Sequence, residues 1–526
     1  MTRVLCLLAA ALPLAAQVSY QRLLQADSEP GNWLTYSGNY SAQHYSRLDQ
    51  IAPANVSRLR PVWVYQMQTT ERVEASPLVA DGIMYLAEPG GSVTALDTLT
   101  GRPMWKYVRT ILPGARGCCG QVNRGVAILN DMVFVGTFDS HLVALDIKSG
   151  ILRWDVEVAD PRLGHSITGA PLAIKDKILV GIAGGEYGVR GFVDAYDAKT
   201  GRRAWRFWTV PAAGEPGSET WSGDSAKTGA APTWVTGAYE PETNTVFWGT
   251  GNPGPDWNGD MRAGSNLYSD CLLALDGDTG KLKWYFQFTP HDTHDWDSTE
   301  VPVLADAVVR GEKHKAVLFG NRNAFYYVLD RTTGRFLAGR DFAKQSWAKG
   351  LDDSGKPIVV VNSEPTVAGA KVYPDVTGGT NWFSPSYSPQ TNLFYVAARD
   401  VGGIFLKGDP KFRSGAQFNG GGQAPIAGEE SLGAIRALIP ATGELKWEFK
   451  LHSEAEAGVL STAGNLVFAG TNEGDFLALD ASTGSALWHF QTGGLINANP
   501  VTYLSGGKQQ VAIAAGNSIL AFAIEP

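Results

Sequence analysis

Apolar residues along this chain come in short runs that end at turn residues, and they seldom repeat with the spacing of a helix. Met132–Val135 and Ile178–Val180 are two such runs, and a glycine follows each of them. Short apolar runs bounded by glycine or aspartate are typical of strands, whereas an amphipathic helix places apolar residues three and four positions apart. The pattern therefore predicts an all-β protein.

One motif recurs along the chain: a strand that ends in Asp, a turn that closes with Gly, and a second strand that carries Trp. The complete copies place these three residues at Asp97, Gly101 and Trp105; Asp146, Gly150 and Trp154; Asp197, Gly201 and Trp205; Asp276, Gly280 and Trp284; and Asp480, Gly484 and Trp488. Two copies are incomplete, because Asp330 and Gly334 lack the tryptophan and Ile439 takes the place of the aspartate. An eighth copy is split between the termini, with one strand at Ile519–Phe522 and its tryptophan at Trp63.

Eight copies predict an eight-bladed β-propeller over residues 17–526, in which N- and C-terminal strands close the ring. A single unit cannot bury its own faces, whereas four-stranded blades arranged radially cover one another. The first copies are 49 residues apart, from Asp97 to Asp146, but 79 residues separate Asp197 from Asp276 and 109 separate Asp330 from Ile439. We expect these insertions to form the loops that build a site.

Charge and the first residues indicate an exported protein that does not bind nucleic acid. The chain has 44 Lys and Arg against 52 Asp and Glu, a formal net charge of −8, and no basic run, so the basic patch of a phosphate binder is missing. Residues 1–16 combine Arg3, an apolar run and the small residues Ala15 and Ala16, which predicts a cleaved signal peptide. No apolar segment reaches the roughly 20 residues of a membrane span.

Cys118 and Cys119 are neighbours in a Gly-Cys-Cys-Gly turn, and they are the best indication of chemistry in the sequence. In an oxidising compartment such a pair can form a disulfide, which crosslinks no distant segments but presents a rigid surface for stacking on a planar ligand. The alternative is a pair of reduced cysteines in a turn. Cys6 belongs to the predicted signal peptide, and Cys271 lies in an apolar strand, where we expect a buried free thiol.

The tryptophan repeat, the cysteine pair and several site motifs together resemble the quinoprotein alcohol dehydrogenases. These enzymes use pyrroloquinoline quinone (PQQ) and are typified by methanol and ethanol dehydrogenases. The resemblance extends from Trp33 to Ile519. It implies a periplasmic enzyme that oxidises small primary alcohols to aldehydes and passes the electrons to an external cytochrome c. The sequence contains no Cys-x-x-Cys-His motif for a c-type haem.

The resemblance also implies how PQQ is held. The Cys118–Cys119 disulfide would cover one face of the cofactor and Trp234 would stack on the other. Arg124 would pair with the cofactor carboxylates, because its planar guanidinium can bind carboxylate oxygens bidentately. The other implied cofactor contacts are Glu74, Thr168, Gly184, Gly185, Arg322 and Asn381.

Three residues correspond to the calcium ligands of the family, namely Glu186, Asn252 and Asp297. Carboxylate and amide oxygens suit a hard cation of this kind. The resemblance makes Asp297 the general base as well, with Arg322 donating to the reactive carbonyl, and it gives Asp295 no role. Methanol dehydrogenases that use lanthanides have a second Asp two residues after the base. Thr299 occupies that position here, which predicts Ca²⁺.

Two positions depart from the family pattern, and two other functions remain open. Glu456 occupies the place of a usual tryptophan, and Ala183 the place of a serine in methanol dehydrogenases. A non-enzymatic propeller that binds or assembles proteins of the cell envelope would share the repeats but would have no use for the cysteine pair. A metal hydrolase could use His291 and His294, but no third ligand of the zinc type accompanies them.

Overall fold

The computed structural model describes residues 17–525, which are almost entirely strand and loop. The predicted signal peptide and Cys6 lie outside this range. Within it the structure has one α-helix, Tyr20–Leu24, and it has 3₁₀ turns at Ala26–Ser28, Val56–Arg58, Pro89–Gly91, Pro161–Leu163, Gly185–Tyr187, Ser218–Thr220 and Ser225–Thr228. The all-β prediction is confirmed. No helix between residues 17 and 525 is long and apolar enough to cross a membrane.

Seven sheets are each built from strands that are close together in the chain. Their strands are Leu78–Ala80, Ile83–Glu88, Ser92–Asp97 and Pro103–Tyr107; Ala127–Leu129, Met132–Gly136, His141–Asp146 and Leu152–Glu157; Leu172–Ile174, Lys177–Gly181, Phe192–Asp197 and Arg203–Trp208; Ala238–Glu240, Thr245–Gly249, Cys271–Asp276 and Leu282–Gln287; Val303–Val309, Glu312–Gly320, Phe325–Asp330 and Phe336–Asp341; Ser386–Ser388, Leu393–Arg399, Gly433–Leu438 and Leu445–Lys450; and Val459–Thr462, Leu466–Gly470, Asp475–Asp480 and Ala486–Gln491, which Tyr45–Ser46 joins in parallel.

The eighth large sheet combines the two ends of the chain. Leu59–Gln66 pairs antiparallel with Ser518–Ile524, and the sheet continues through Lys508–Ala515 to Val501–Ser505. Two smaller sheets lie in the long insertions: Ala348–Leu351 with Pro357–Val359, and Ala370–Val372 with Gly403–Lys407 and Gly421–Pro425. The insertions thus contribute structure of their own beside the repeated sheets.

The repeated motif forms a turn on which a tryptophan of a neighbouring sheet packs. In the first copy, Asp97 Oδ1 accepts hydrogen bonds from the backbone and side chain of Thr100, both at 2.8 Å. Gly101 has φ +69°, and a Cβ there would lie 2.7 Å from the ring of Trp63. The Trp63 indole donates to Thr98 O at 2.8 Å. The glycine is therefore required twice, for its left-handed backbone and for the space that the indole occupies.

Candidate active site

Loops that connect the sheets enclose a cavity of about 270 Å³ that brings together most of the predicted site residues. The predicted residues that line it are Glu74, Cys118, Cys119, Arg124, Thr168, Gly184, Glu186, Trp234, Asp297, Arg322 and Asn381. Asn252 does not line the cavity, but its backbone N–H donates a hydrogen bond to Asp297 Oδ1. Gly185 is packed behind the wall, where a Cβ would lie 3.1 Å from Pro232. Side chains that are up to about 380 residues apart in sequence, such as Glu74 and Glu456, thus share one small space.

Cys118 and Cys119 are joined by a disulfide that forms part of the cavity wall. A carboxylate oxygen of Glu186 lies within 4.8 Å of both sulfur atoms. Because the sulfurs are bonded to each other, they are not thiolate ligands for a metal. They instead present a flat surface to the cavity beside a carboxylate. Cys271 is a buried free cysteine, as predicted.

Arg124 is held between two indole rings. Its guanidinium carbon is 4.7 Å from the ring centroid of Trp234 and 4.6 Å from that of Trp382, distances at which a cation and an aromatic face attract each other. Its Nη2 pairs with Glu74 Oε2 at 2.6 Å. Its Nε and Nη1 are buried and have no hydrogen-bond partner between residues 17 and 525. These two free donors can bind an anionic ligand in the cavity.

Asn381 and Thr168 contribute to the wall in a different way from the charged residues. The Asn381 side chain donates to Thr377 O at 2.8 Å and accepts from the backbone N–H of Trp382 at 2.8 Å. It therefore stabilises its own loop. Thr168 is buried, and its carbonyl accepts from the backbone N–H of Arg124 at 3.0 Å. That bond fixes the start of the arginine side chain.

Both carboxylate oxygens of Asp297 are occupied by donors from the protein. Oδ2 accepts from the Trp234 indole at 2.8 Å and from Arg322 Nη1 at 2.7 Å. Oδ1 accepts from the backbone N–H of Asn252 at 2.8 Å. Burial raises the pKa of Asp297 above its ordinary value, while these three donors oppose that rise. Asp297 thus joins Trp234, Arg322 and the backbone of Asn252 at the cavity.

Asp295 also lines the cavity, although the sequence analysis gave it no role. In the described part of the chain, no donor is hydrogen-bonded to its carboxylate. Burial raises its pKa well above the ordinary value, while the nearby Arg322 opposes that rise. The sequence contained a signal for this residue. Asp295 is a second acid two positions before Asp297 in the same short motif.

Four acidic groups lie close together around this part of the cavity: Asp256 and Asp297 are buried, and Glu186 and Asp295 are half-buried. Burial raises the pKa of each of the four carboxyls. The Asp256 carboxyl is further raised by the charge of Glu186, and it accepts from Asn252 Nδ2 at 2.8 Å. Carboxyl groups so close together favour the binding of a cation beyond Arg322. Oxygen donors of this type suit Ca²⁺ or another hard cation.

Thr299, the position on which calcium was predicted, does not line the cavity. The residue is buried, and its hydroxyl has no hydrogen-bond partner within residues 17–525. A second carboxylate at the cavity is instead supplied by Asp295, two residues before Asp297 in the sequence. The cavity therefore offers three candidate acidic ligands, Glu186, Asp295 and Asp297, where the sequence predicted two.

Glu456, the acid in place of the usual tryptophan, also faces the cavity. It lies 3.6 Å from Arg72 and 3.9 Å from Arg399, and it accepts from Asn497 at 3.0 Å. Two arginines therefore balance its charge. This edge of the cavity is polar where the family pattern would make it aromatic.

His291 and His294 do not meet at a shared site. His291 Nδ1 lies 3.0 Å from Gly264 O, and His294 Nε2 lies 2.8 Å from Ser363 O. The His294 ring also stacks on Trp296, with centroids 4.2 Å apart. Each imidazole is thus engaged with a backbone carbonyl, and neither lines the cavity. The metal hydrolase hypothesis has no support in this arrangement.

Gly251 leaves the space that Asp297 needs. A Cβ at Gly251 would lie 2.0 Å from Asp297 Oδ1. We expect Gly251→Ala to displace this carboxylate and to lower the affinity of the chain for a cation more than 10-fold, measured by titration in the presence of PQQ. Gly422→Ala is the matched control, because a Cβ there meets nothing within 4 Å. Equal affinities of the two variants would show that Asp297 does not hold the cation.

Comparison with known proteins identifies relatives over nearly the whole chain. The family described as "Glucose/ethanol/alcohol dehydrogenase, beta-propeller domain" matches residues 33–339 and 422–511. The quinoprotein alcohol dehydrogenase PedH of Pseudomonas putida is 39% identical, over 95% of this chain and 89% of that protein. A lanthanide-dependent methanol dehydrogenase of Methylacidiphilum fumariolicum is 36% identical, over 94% of this chain and 86% of that protein. The solved structure of a europium-containing methanol dehydrogenase superposes with a TM-score of 0.91 at 32% identity, covering 96% of this chain and 100% of that one.

Proposed function

Because the chain belongs to the PQQ-dependent quinoprotein alcohol dehydrogenase family, we propose that its cavity holds PQQ beside a metal ion and oxidises primary alcohols to aldehydes. It is an alcohol-oxidising oxidoreductase with a β-propeller fold. The envelope-assembly alternative gains no support from these relatives. The main support for the proposal is that one cavity contains the Cys118–Cys119 disulfide, Arg124, Trp234 and the carboxylates of Glu186, Asp295 and Asp297.

The residues of the cavity fit PQQ, an acidic and planar molecule. The two unpartnered nitrogens of Arg124 suit its carboxylates. Trp234 and the Cys118–Cys119 disulfide offer surfaces for stacking on its rings. We assign Glu74, Thr168, Gly184, Gly185, Arg322 and Asn381 to its surroundings as well. When bound, PQQ would supply the two-electron oxidant for the alcohol, and the cation would supply a Lewis acid beside it.

For the metal we propose a trivalent lanthanide ion in place of the predicted Ca²⁺. Glu186, Asp295 and Asp297 supply three carboxylates at the cavity, and Asn252 lies directly behind Asp297. The third carboxylate, Asp295, favours a trivalent over a divalent ion, because each negative charge attracts a trivalent ion more strongly. Two of the relatives are named for a lanthanide, one as lanthanide-dependent and one as europium-containing.

For the base we propose Asp295 in place of Asp297. The Asp295 carboxylate faces the cavity and forms no hydrogen bond to the described residues, so it can accept the hydroxyl proton of an alcohol. Asp297 keeps the orienting role: it fixes Arg322 and the backbone of Asn252. Arg322 also donates to Val376 O. These two hydrogen bonds fix the position of its positive charge at the cavity wall.

Three wider assignments accompany this function. We propose that the eight large sheets are the blades of a single propeller spanning residues 17–526, closed by the pair Leu59–Gln66 and Ser518–Ile524. We also propose that residues 1–16 are a cleaved signal peptide that directs the chain to the periplasm. The electrons then pass to an external cytochrome c.

Reconstitution tests the proposed function. Purified protein mixed with PQQ and a cation should acquire the absorbance of the bound quinone and reduce a dye when a primary alcohol is added. It should also reduce cytochrome c in place of the dye. Arg124→Leu removes the donors for the cofactor carboxylates and should abolish the bound absorbance. Dye reduction by this variant at the unmodified rate would contradict the placement of PQQ.

A further inference from the structure

Asp256 is a buried acid behind the metal centre, outside the wall of the cavity. It is 1% exposed, and the sequence pattern gave it no role. Its Oδ1 accepts from Asn252 Nδ2 at 2.8 Å. Because that bond uses the amino group of Asn252, it leaves the carbonyl oxygen of the same amide free to face a cation. Nearby, the buried guanidinium of Arg262 donates to Pro255 O at 3.0 Å and fixes the backbone before Asp256.

The inserted hairpin Gly403–Lys407 and Gly421–Pro425 secures the second oxygen of Asp256. When the Asn419 amide is oriented to satisfy its neighbours, its nitrogen is 3.2 Å from Asp256 Oδ2 and 3.3 Å from Glu186 O. The backbone N–H of Phe418 also donates to Glu186 O at 2.6 Å, and that of Trp257 donates to Asn419 O at 2.9 Å. The hairpin therefore contacts the candidate metal ligand Glu186. It also contacts Asp256, which is hydrogen-bonded to a second candidate ligand, Asn252.

We propose that Asp256 is a positioning residue of the metal centre, which orients the Asn252 amide and adds a negative charge that favours a trivalent over a divalent cation. This inference rests on the proposed metal centre. Asp256 is a fourth acid beside Glu186, Asp295 and Asp297, and its Oδ1 is hydrogen-bonded to the Asn252 amide. Since one unit of charge acts on a trivalent ion one and a half times as strongly as on a divalent ion at the same distance, Asp256 affects cation choice as well as affinity.

The test is a titration of the full chain with LaCl₃ and with CaCl₂, in the presence of PQQ, against a chelator of known affinity. Asp256→Asn keeps an oxygen that can accept from Asn252 but removes the charge. We expect its La³⁺ affinity to fall roughly 10- to 100-fold. Its preference for La³⁺ over Ca²⁺ should then fall about 2- to 5-fold, because the divalent ion loses less. A residue that only supports the fold would change both affinities by the same factor.

Asp260→Asn is the matched control, because Asp260 is exposed on the same loop and pairs with Lys407 at 2.6 Å. It should leave both affinities unchanged. Asn419→Ala keeps the charge of Asp256 but frees its second oxygen, so both affinities should fall by a similar, smaller factor. This variant keeps the test open if Asp256→Asn does not fold, and an unchanged affinity in it would then overturn the proposal.

The possible results separate this inference from the function on which it rests. Wild-type affinities in Asp256→Asn, or an equal loss for both cations, would overturn the role of Asp256 and leave the metal centre in place. A wild-type chain that binds neither cation would overturn the metal centre itself, and the role of Asp256 with it.

Discussion

Asp295→Asn is expected to lower kcat for alcohol oxidation by roughly 10²- to 10⁴-fold, the usual contribution of a general base. The variant keeps an oxygen in the same place but cannot accept the substrate proton. Asp295 lies on the cavity wall, and its carboxylate accepts no hydrogen bond from the described residues. The measurement is the rate of dye reduction with the cofactor and cation at saturating concentrations.

Asp297→Asn is the comparison for this experiment. It should disturb the bonds to Trp234 and Arg322, and it should therefore weaken binding of the cation and the cofactor. Saturating cation should restore part of its activity but none of the activity of Asp295→Asn. The reverse pattern, with Asp295→Asn close to full activity, would return the base to Asp297.

Reconstitution with PQQ and La³⁺ is expected to give at least 10-fold higher alcohol oxidation than reconstitution with PQQ and Ca²⁺ at equal concentration. The reason is the third carboxylate: one charge–charge contact at about 4 Å contributes on the order of 4 kcal/mol at an effective dielectric constant of 20, and each 1.4 kcal/mol is a factor of ten in binding. Rates with each ion over a range of concentrations separate affinity from turnover.

Thr299→Val tests the position on which calcium was predicted. Its hydroxyl does not line the cavity, so this variant should keep the cation preference of the unmodified chain. A change of preference in Thr299→Val, or higher activity with Ca²⁺ than with La³⁺ in the unmodified chain, would favour the calcium assignment. The quinoprotein family would remain unaffected by that outcome.

The fold could be predicted further from the sequence than the site could. Each repeat combines an Asp that accepts bonds from its own turn, a Gly with positive φ and a Trp that packs on a neighbouring turn, as Asp97, Gly101 and Trp63 illustrate. Local chemistry requires these residue types, so they appear as a pattern. The insertions could be located from the spacing, but their small sheets could not, because their strands carry no such repeat.

The site residues could be named from motifs, but their tasks depended on contacts between distant segments. Asp295 and Asp297 are both acids in one short motif, and nothing local distinguishes a base from an anchor. The distinction comes from Trp234, Asn252 and Arg322, which occupy the oxygens of Asp297 and leave Asp295 free.

The sequence by itself determined the strands, the repeat and eleven of the 24 residues that line the cavity. These features depend on short-range rules of backbone conformation and on motifs a few residues long. Only the tertiary structure decided that Thr299 does not line the cavity, that Asp295 does, and that Asn419 of a distant hairpin reaches Asp256. Charge and hydrogen bonding act through space over a few ångströms, and the order of residues in the chain does not specify which groups come that close.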